Sequence, residues 1–142
     1  MNERTAEYYG RWDNISKNAD KIAKEQCSKE DEVGLIMLDD GKIIGYAHLS
    51  FASKPSRVHS CGFGIVINQL YQNKGHGEYL MKETIKLAKD MGKKKIWLHV
   101  YDFNKPAIKL YKRLGFIQEG LFKKEEVKNG KYVNLISMAK WI

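Results

Sequence analysis

Phe63-Gly64-Ile65-Val66-Ile67 leads, after a short connection, into Gln72-Asn73-Lys74-Gly75-His76-Gly77, and apolar residues at helical spacing follow from Leu80 onward. A β-branched run, a glycine-bearing loop and an amphipathic stretch in that order predict a strand–loop–helix unit. Glycines at the mouth of a helix let the backbone come close to a ligand. The first N–H groups of a helix lack intrahelical partners and carry the positive end of its dipole, so such a mouth favours an anion. The spacing is neither the dinucleotide fingerprint nor the Walker loop. Taken alone, Q-x-x-G-x-G reads more simply as a tight turn without a ligand.

Downstream of the loop, Leu80, Thr84, Leu87, Ala88 and Met91 share one helix face, and Gly92 is a natural stop. Ile96-Trp97-Leu98-His99-Val100 then alternates as a strand, with Ile96, Leu98 and Val100 on one side and Trp97 and His99 on the other. Asn104 is placed to cap a second helix, whose Ala107, Leu110, Tyr111 and Leu114 share a face before Gly115. A long hairpin follows, Phe116–Val127 and Tyr132–Met138, turning at Lys128-Asn129-Gly130-Lys131.

Upstream, Val33–Leu38 and Ile43–Phe51 read as strands joined at Asp39-Asp40-Gly41-Lys42, and a looser loop around Lys54-Pro55-Ser56 precedes the strand ending at Ile67. Tyr8, Trp12, Ile15, Ala19 and Ile22 fall at helical spacing, predicting one helix or two short ones up to about Cys27. The order helix, three strands, helix, strand, helix, two strands predicts an α/β (α+β) fold. Its mixed, mostly antiparallel central sheet would carry helices on both faces.

The 142 residues fit one domain, 1–142, and the 43% hydrophobic and 30% charged content is ordinary for a globular protein. No stretch reaches the length of a membrane span and no signal peptide is evident, so no membrane partner is expected. Two cysteines, Cys27 and Cys61, make a disulfide scaffold a poor reading and a cytoplasmic setting the default. The net charge of +8 is compatible with a nucleic-acid surface, an acidic partner or a phosphate-bearing cofactor. The lysines are scattered without interleaved aromatics, which ranks nucleic acid last.

The stretch Asn104-Lys105-Pro106-Ala107-Ile108-Lys109-Leu110-Tyr111-Lys112-Arg113-Leu114-Gly115-Phe116 resembles a signature of the GNAT superfamily of acyl-CoA-dependent N-acetyltransferases. The family pattern is matched at Asn104, Ala107, Leu110, Tyr111, Gly115 and Phe116. Its loop is matched at Gln72, Gly75 and Gly77. The two motifs stand in the family's order, and the resemblance runs from about Val33 to Met138.

The resemblance implies acetyl-CoA as cosubstrate and assigns roles. The backbone of Ile65, Val66 and Ile67 would pair with the pantetheine arm and acyl carbonyl, an N–H there stabilising the oxyanion. The amides of Gln72, Asn73, Lys74, Gly75, His76 and Gly77 would hold the pyrophosphate, with Lys74 adding charge. Asn104 would contact the cofactor as well as cap its helix. Tyr111 would protonate the departing thiolate, although spacing alone makes it a core aromatic. His99 occupies the strand position where related enzymes often carry a glutamate base; it is either a proton acceptor or a structural histidine.

Other residues carry plainer readings. His59 and Cys61 share one face but lack the further ligands a metal needs, so no metal is expected; Cys61 as a nucleophile lacks an evident base. The His76 side chain is expected to face solvent. The family's first strand is read as absent or reduced to a remnant in Met1–Glu7, and Tyr8, Tyr9 and Trp12 either line an acceptor site or form a core face. The expected function is acetyl transfer from acetyl-CoA to a primary amine, a small molecule or a protein N-terminus, within a ternary complex. The alternative is an inactive CoA-binding sensor or interaction module. A homodimer is compatible with either.

Overall fold

The computed structural model describes residues 5–9 and 31–142. Seven strands form one sheet: β1 (Thr5–Tyr9), β2 (Glu32–Asp39), β3 (Lys42–Phe51), β4 (Ser60–Ile67), β5 (Lys95–Tyr101), β6 (Ile117–Lys128) and β7 (Lys131–Trp141). Their spatial order is β1-β2-β3-β4-β5-β7-β6. Among the described residues there are two α-helices, α1 (His76–Asp90) between β4 and β5 and α2 (Lys105–Arg113) after β5, and two short 3-10 turns, Pro55–Arg57 and Gln69–Tyr71.

The two hairpins follow from their turn residues. Asp40 and Gly41 take φ of 51° and 75°, and Asn129 and Gly130 take 52° and 75°, the paired left-handed geometry that matches strand twist. The crossover through α1 makes β4 and β5 the one parallel pair; the other neighbours run antiparallel.

The sequence reading and the structure part at the amino end. Tyr8 lies in a strand, and the first strand, read as absent or reduced, pairs with β2 from Thr5↔Leu38 to Tyr9↔Gly34. Thr5, Tyr8 and Tyr9 are strand-favouring residue types, and pairing along the edge of β2 overrides the helical spacing that Tyr8 shares with Trp12. Trp12, Ile15, Ala19, Ile22 and Cys27, and with them the expected amino-terminal helices, lie outside the described residues.

Both described helices pack on one face of the sheet. Val33, Leu35, Met37, Ala47, Leu49, Cys61, Phe63, Ile96, Leu98 and Val100 join Leu80, Met81, Ile85 and Ala88 of α1 and Tyr111 of α2 in one buried cluster. Met91, read as part of the buried stripe, is 41% exposed because it sits past the last turn as the C-cap; Ile85 and Met81 are buried in its stead. Gly92 follows with φ 78°, the left-handed residue that ends α1.

One irregularity positions everything that follows. The parallel ladder between β4 and β5 covers only Ser60↔Lys95, Cys61↔Ile96 and Gly62↔Trp97. Beyond it β4 stays paired with β3 as far as Ile67, and β5 stays paired with β7 as far as Tyr101. The sheet therefore splits, and the β5-facing backbone of β4 after Gly62 is left without a strand partner.

Candidate functional site

A cavity of about 470 Å³ opens where the strands part, within the range of small-molecule sites. Ile65 and Ile67 line it from β4, Gln72, Asn73, Gly75 and Gly77 from the loop, and Asn104 and Tyr111 from the second motif. Two motifs 27 or more residues apart in sequence thus meet in one space, Gly77 to Asn104 being the shortest separation.

The loop gets its shape from local chemistry. Gln72 Nε2 donates to the Ile67 carbonyl at 3.0 Å, tying the loop to the end of β4. Asn73 and Gly75 are left-handed, with φ of 60° and 80°. Gly75 is the N-cap of α1 and brings no side-chain cap, so the helix opens into the cavity with its first N–H groups uncapped. A Cβ at Gly75 meets nothing within 4 Å, so conformation and not space demands glycine there. Gly75→Ala is therefore expected to cost about 1–2 kcal/mol, and Gly75→Asn less, because asparagine tolerates the left-handed region. Thermal melts of the two variants check this; equal melting would sink the strain argument.

The loop side chains differ from expectation. Lys74 does not line the cavity; its Nζ stands 5.9 Å from the Tyr71 ring centroid. His76, expected to face solvent, is 8% exposed and meets Tyr71 edge-on at 6.2 Å. As the first residue of α1 it follows closely on the turn Gln69–Tyr71, and its ring meets that of Tyr71 there. The Val66 side chain, 53% exposed, is absent from the cavity lining that Ile65 and Ile67 share, as strand alternation requires.

The helix α2 supplies the opposite wall. Asn104 caps it, Oδ1 accepting from the Ala107 N–H at 3.3 Å. Tyr111 is 8% exposed against the core and lies beside Phe116, ring centroids 6.0 Å apart. Burial raises its phenol above the ordinary tyrosine value, holding it protonated. Among the described residues its hydroxyl has no hydrogen-bond partner, so the proton is available to whatever enters the cavity.

Sequence reasoning missed Lys109, Arg113 and Glu78, which also line the cavity. Pro106, Lys109, Leu110 and Arg113 form an i, i+3, i+4, i+7 stripe, and that periodicity was the available signal. Arg113 binds Glu78 at 3.0 Å and holds that carboxyl below its ordinary range, with Lys82 adding to the effect. The cavity rim is left with a net positive balance from Lys109, fitting an anionic occupant.

His99 stands away from the cavity. It lies on the other face of β5, where its ring packs between Trp97 at 5.1 Å and Phe122 at 5.4 Å. Cys61 is 1% exposed, and burial pushes its thiol up to about 11, so the thiolate needed for nucleophilic chemistry is scarce. Alkylation of the folded protein followed by peptide mapping should leave Cys61 unmodified; rapid labelling would contradict its burial. His59 is exposed and stacks on Trp141 at 6.2 Å, away from the Cys61 thiol's buried setting.

The model of the acetyltransferase (GNAT) family matches residues 1–116. An L-amino acid N-acetyltransferase of Escherichia coli K12 is 36% identical over 107 residues, covering 75% of this chain and 66% of that protein. The chain spans from 42% to 66% of the length of the first curated relatives that it matches. A GNAT-family acetyltransferase from Streptococcus pneumoniae superposes with a TM-score of 0.77 at 29% identity, over 84% of this chain and 73% of that one. A phosphinothricin acetyltransferase from Sinorhizobium meliloti, solved in complex with acetyl-CoA, shares the fold with a TM-score of 0.73 at 24% identity, over 78% and 61%. With residues 1–116 matched by the family model and a 36% identical relative covering 75% of the chain, the chain belongs to the GNAT family of acetyltransferases.

Proposed function

We propose that the protein is an acetyl-CoA-dependent N-acetyltransferase, a single domain moving an acetyl group to a primary amine within a ternary complex. The observation that carries this reading is the early end of the β4–β5 ladder beside the uncapped start of α1, with Tyr111 in the same cavity.

The residues present fit acetyl-CoA. The backbone of Ile65, Val66 and Ile67, freed from β5, offers an edge to an extended pantetheine chain, as a strand edge pairs with a peptide. The amides from Gln72 to Gly77 offer a concave, positive cradle for a pyrophosphate. Asn104 flanks the same cavity. Bound acetyl-CoA supplies an activated acyl group and a thiolate leaving group; the protein supplies orientation and protons. A β4 N–H polarises the thioester carbonyl. Tyr111, kept neutral by burial, donates a proton to the leaving thiolate. On the far face of the sheet, His99 is exposed two residues past Trp97, the last β5 residue paired with β4.

The printed name of the E. coli relative, an L-amino acid N-acetyltransferase, supports trying free amino acids first as acceptors. A protein N-terminus presents the same α-amine and comes next. A thiol-release assay with acetyl-CoA across L-amino acids, amino-terminal peptides and amino sugars tests the reading. Turnover with at least one amine is the expected result. Acetyl-CoA binding without turnover on any amine would instead favour a CoA-binding sensor.

A further inference from the structure

The sheet face opposite α1 and α2 holds a second imidazole. Alternation along β3 and β4 puts Ala47, Leu49, Phe63 and Ile65 toward the helices, and His48, Ser50, Gly62 and Gly64 toward the other face. His48 pairs in register with Gly64. A Cβ built at Gly64 would stand 2.9 Å from each ring nitrogen of His48 and nearer still to the carbon between them. Only glycine at 64 lets that imidazole lie against the β4 backbone with its N–C–N edge turned to the strand. Tyr46 stacks on the ring, centroids 5.6 Å apart and planes 21° from parallel, which fixes its tilt.

The position of Gly64 is what matters. Gly62↔Trp97 is the last pair of the β4–β5 ladder. Two residues further, on the same face, come Gly64 on one side of the split and His99 on the other. His48 on β3 and His99 on β5 therefore share one face of the sheet, with β4 and the split between them. Of the two, His48 borders the strand that carries Ile65, the edge assigned to the thioester. His99 is wedged between Trp97 and Phe122.

We propose that His48 is a catalytic proton acceptor for the incoming amine, acting across Gly64 at the split. The proposal rests on the acetyltransferase reading and deepens it. As the amine nitrogen bonds to the thioester carbon, the carbonyl electron pair moves onto oxygen. Before that bond forms, the ammonium gives its extra proton to an unprotonated nitrogen of His48, and the second N–H proton leaves to solvent as the amide forms. The oxygen pair then returns, the C–S bond breaks, and the thiolate takes the Tyr111 proton. Solvent receives the proton from His48 and restores that of Tyr111, so one amide and one thiol result.

The test compares an acceptor that must lose a proton with one that is already free. Common L-amino acids are ammonium ions at neutral pH, whereas hydroxylamine is largely neutral. His48→Ala and His48→Gln are measured with both probes, in the wild-type and His99→Ala backgrounds, alongside acetyl-CoA affinity. The expected result is a fall in kcat for amino acids of about a hundredfold, a change of less than about threefold for hydroxylamine, and unchanged acetyl-CoA binding. Added imidazole should restore part of the loss in His48→Ala. Equal losses for both probes would mark His48 as merely structural and overturn the proposal. So would full amino-acid turnover by the His48 variants in both backgrounds. If the wild-type protein turns over no amine at all, the acetyltransferase reading itself fails and this proposal with it.

Discussion

Tyr111→Phe is expected to lower kcat by about a hundredfold or more while leaving acetyl-CoA affinity within about twofold, the range seen when a positioned general acid is removed. The substitution deletes one oxygen from a ring that is 8% exposed and already packed against Phe116, so the fold has little reason to respond. No hydrogen bond within the described residues is lost, because the hydroxyl makes none. What disappears is the proton aimed into the cavity. Thiol-release kinetics with isothermal titration of acetyl-CoA separate the two effects. A variant retaining wild-type kcat would remove Tyr111 from the chemistry and leave it a core aromatic.

The direction of the Tyr111 shift adds a pH signature. Burial raises the folded phenol above its unfolded value of about 10, so between those two values the folded state holds a proton that the unfolded state has lost. Its contribution to stability is therefore fully present below about pH 10 and is lost as pH rises through the folded value. Within the ordinary assay range the phenol stays a donor, and any alkaline limb of kcat owing to Tyr111 belongs above the usual tyrosine range.

Much of this arrangement was legible in the residues, and the parts that were not have a common cause. The hairpin turns at Asp40-Gly41 and Asn129-Gly130, the Asn104 cap and the alternation of β5 are set by local chemistry within a few residues, and each stands where the pattern put it. The Gln72–Gly77 loop was ambiguous alone, and its meeting with Asn104 and Tyr111 required the fold. The misses depend on distant partners. Nothing near Tyr8 announces that β2 will pair with it. His76 looked exposed until Tyr71 covered it, and His48 drew no notice because its neighbour Gly64 is 16 residues away. The early end of the β4–β5 ladder, on which the site depends, leaves no local trace, since both strands carry on with good strand residues past the split.

Phe116→Ala is expected to destabilise the protein by about 3–5 kcal/mol, the cost of emptying a buried phenyl site, and to lower the melting temperature by roughly 10–20 °C. Phe116 is 2% exposed and is the largest of the fully buried side chains among the described residues. It also sets how α2 ends. Gly115 turns left-handed at φ 93°, the Phe116 N–H donates to the Tyr111 carbonyl at 2.9 Å, and Lys140 Nζ donates to the Leu114 carbonyl at 2.6 Å. Phe116, whose ring anchors the core, is thereby tied to the proposed proton donor by a backbone hydrogen bond and packed beside it. Phe116→Leu keeps most of the volume and should cost only about 1–2 kcal/mol. It still removes the aromatic contact with Tyr111, worth about 0.5–1.5 kcal/mol, so kcat should fall by up to about tenfold with acetyl-CoA affinity little changed. Circular-dichroism melts and thiol-release kinetics on both variants distinguish the contributions. If Phe116→Leu melts lower yet turns over at the wild-type rate, the core holds α2 in place without positioning Tyr111, and the coupling of packing to chemistry at this residue is wrong.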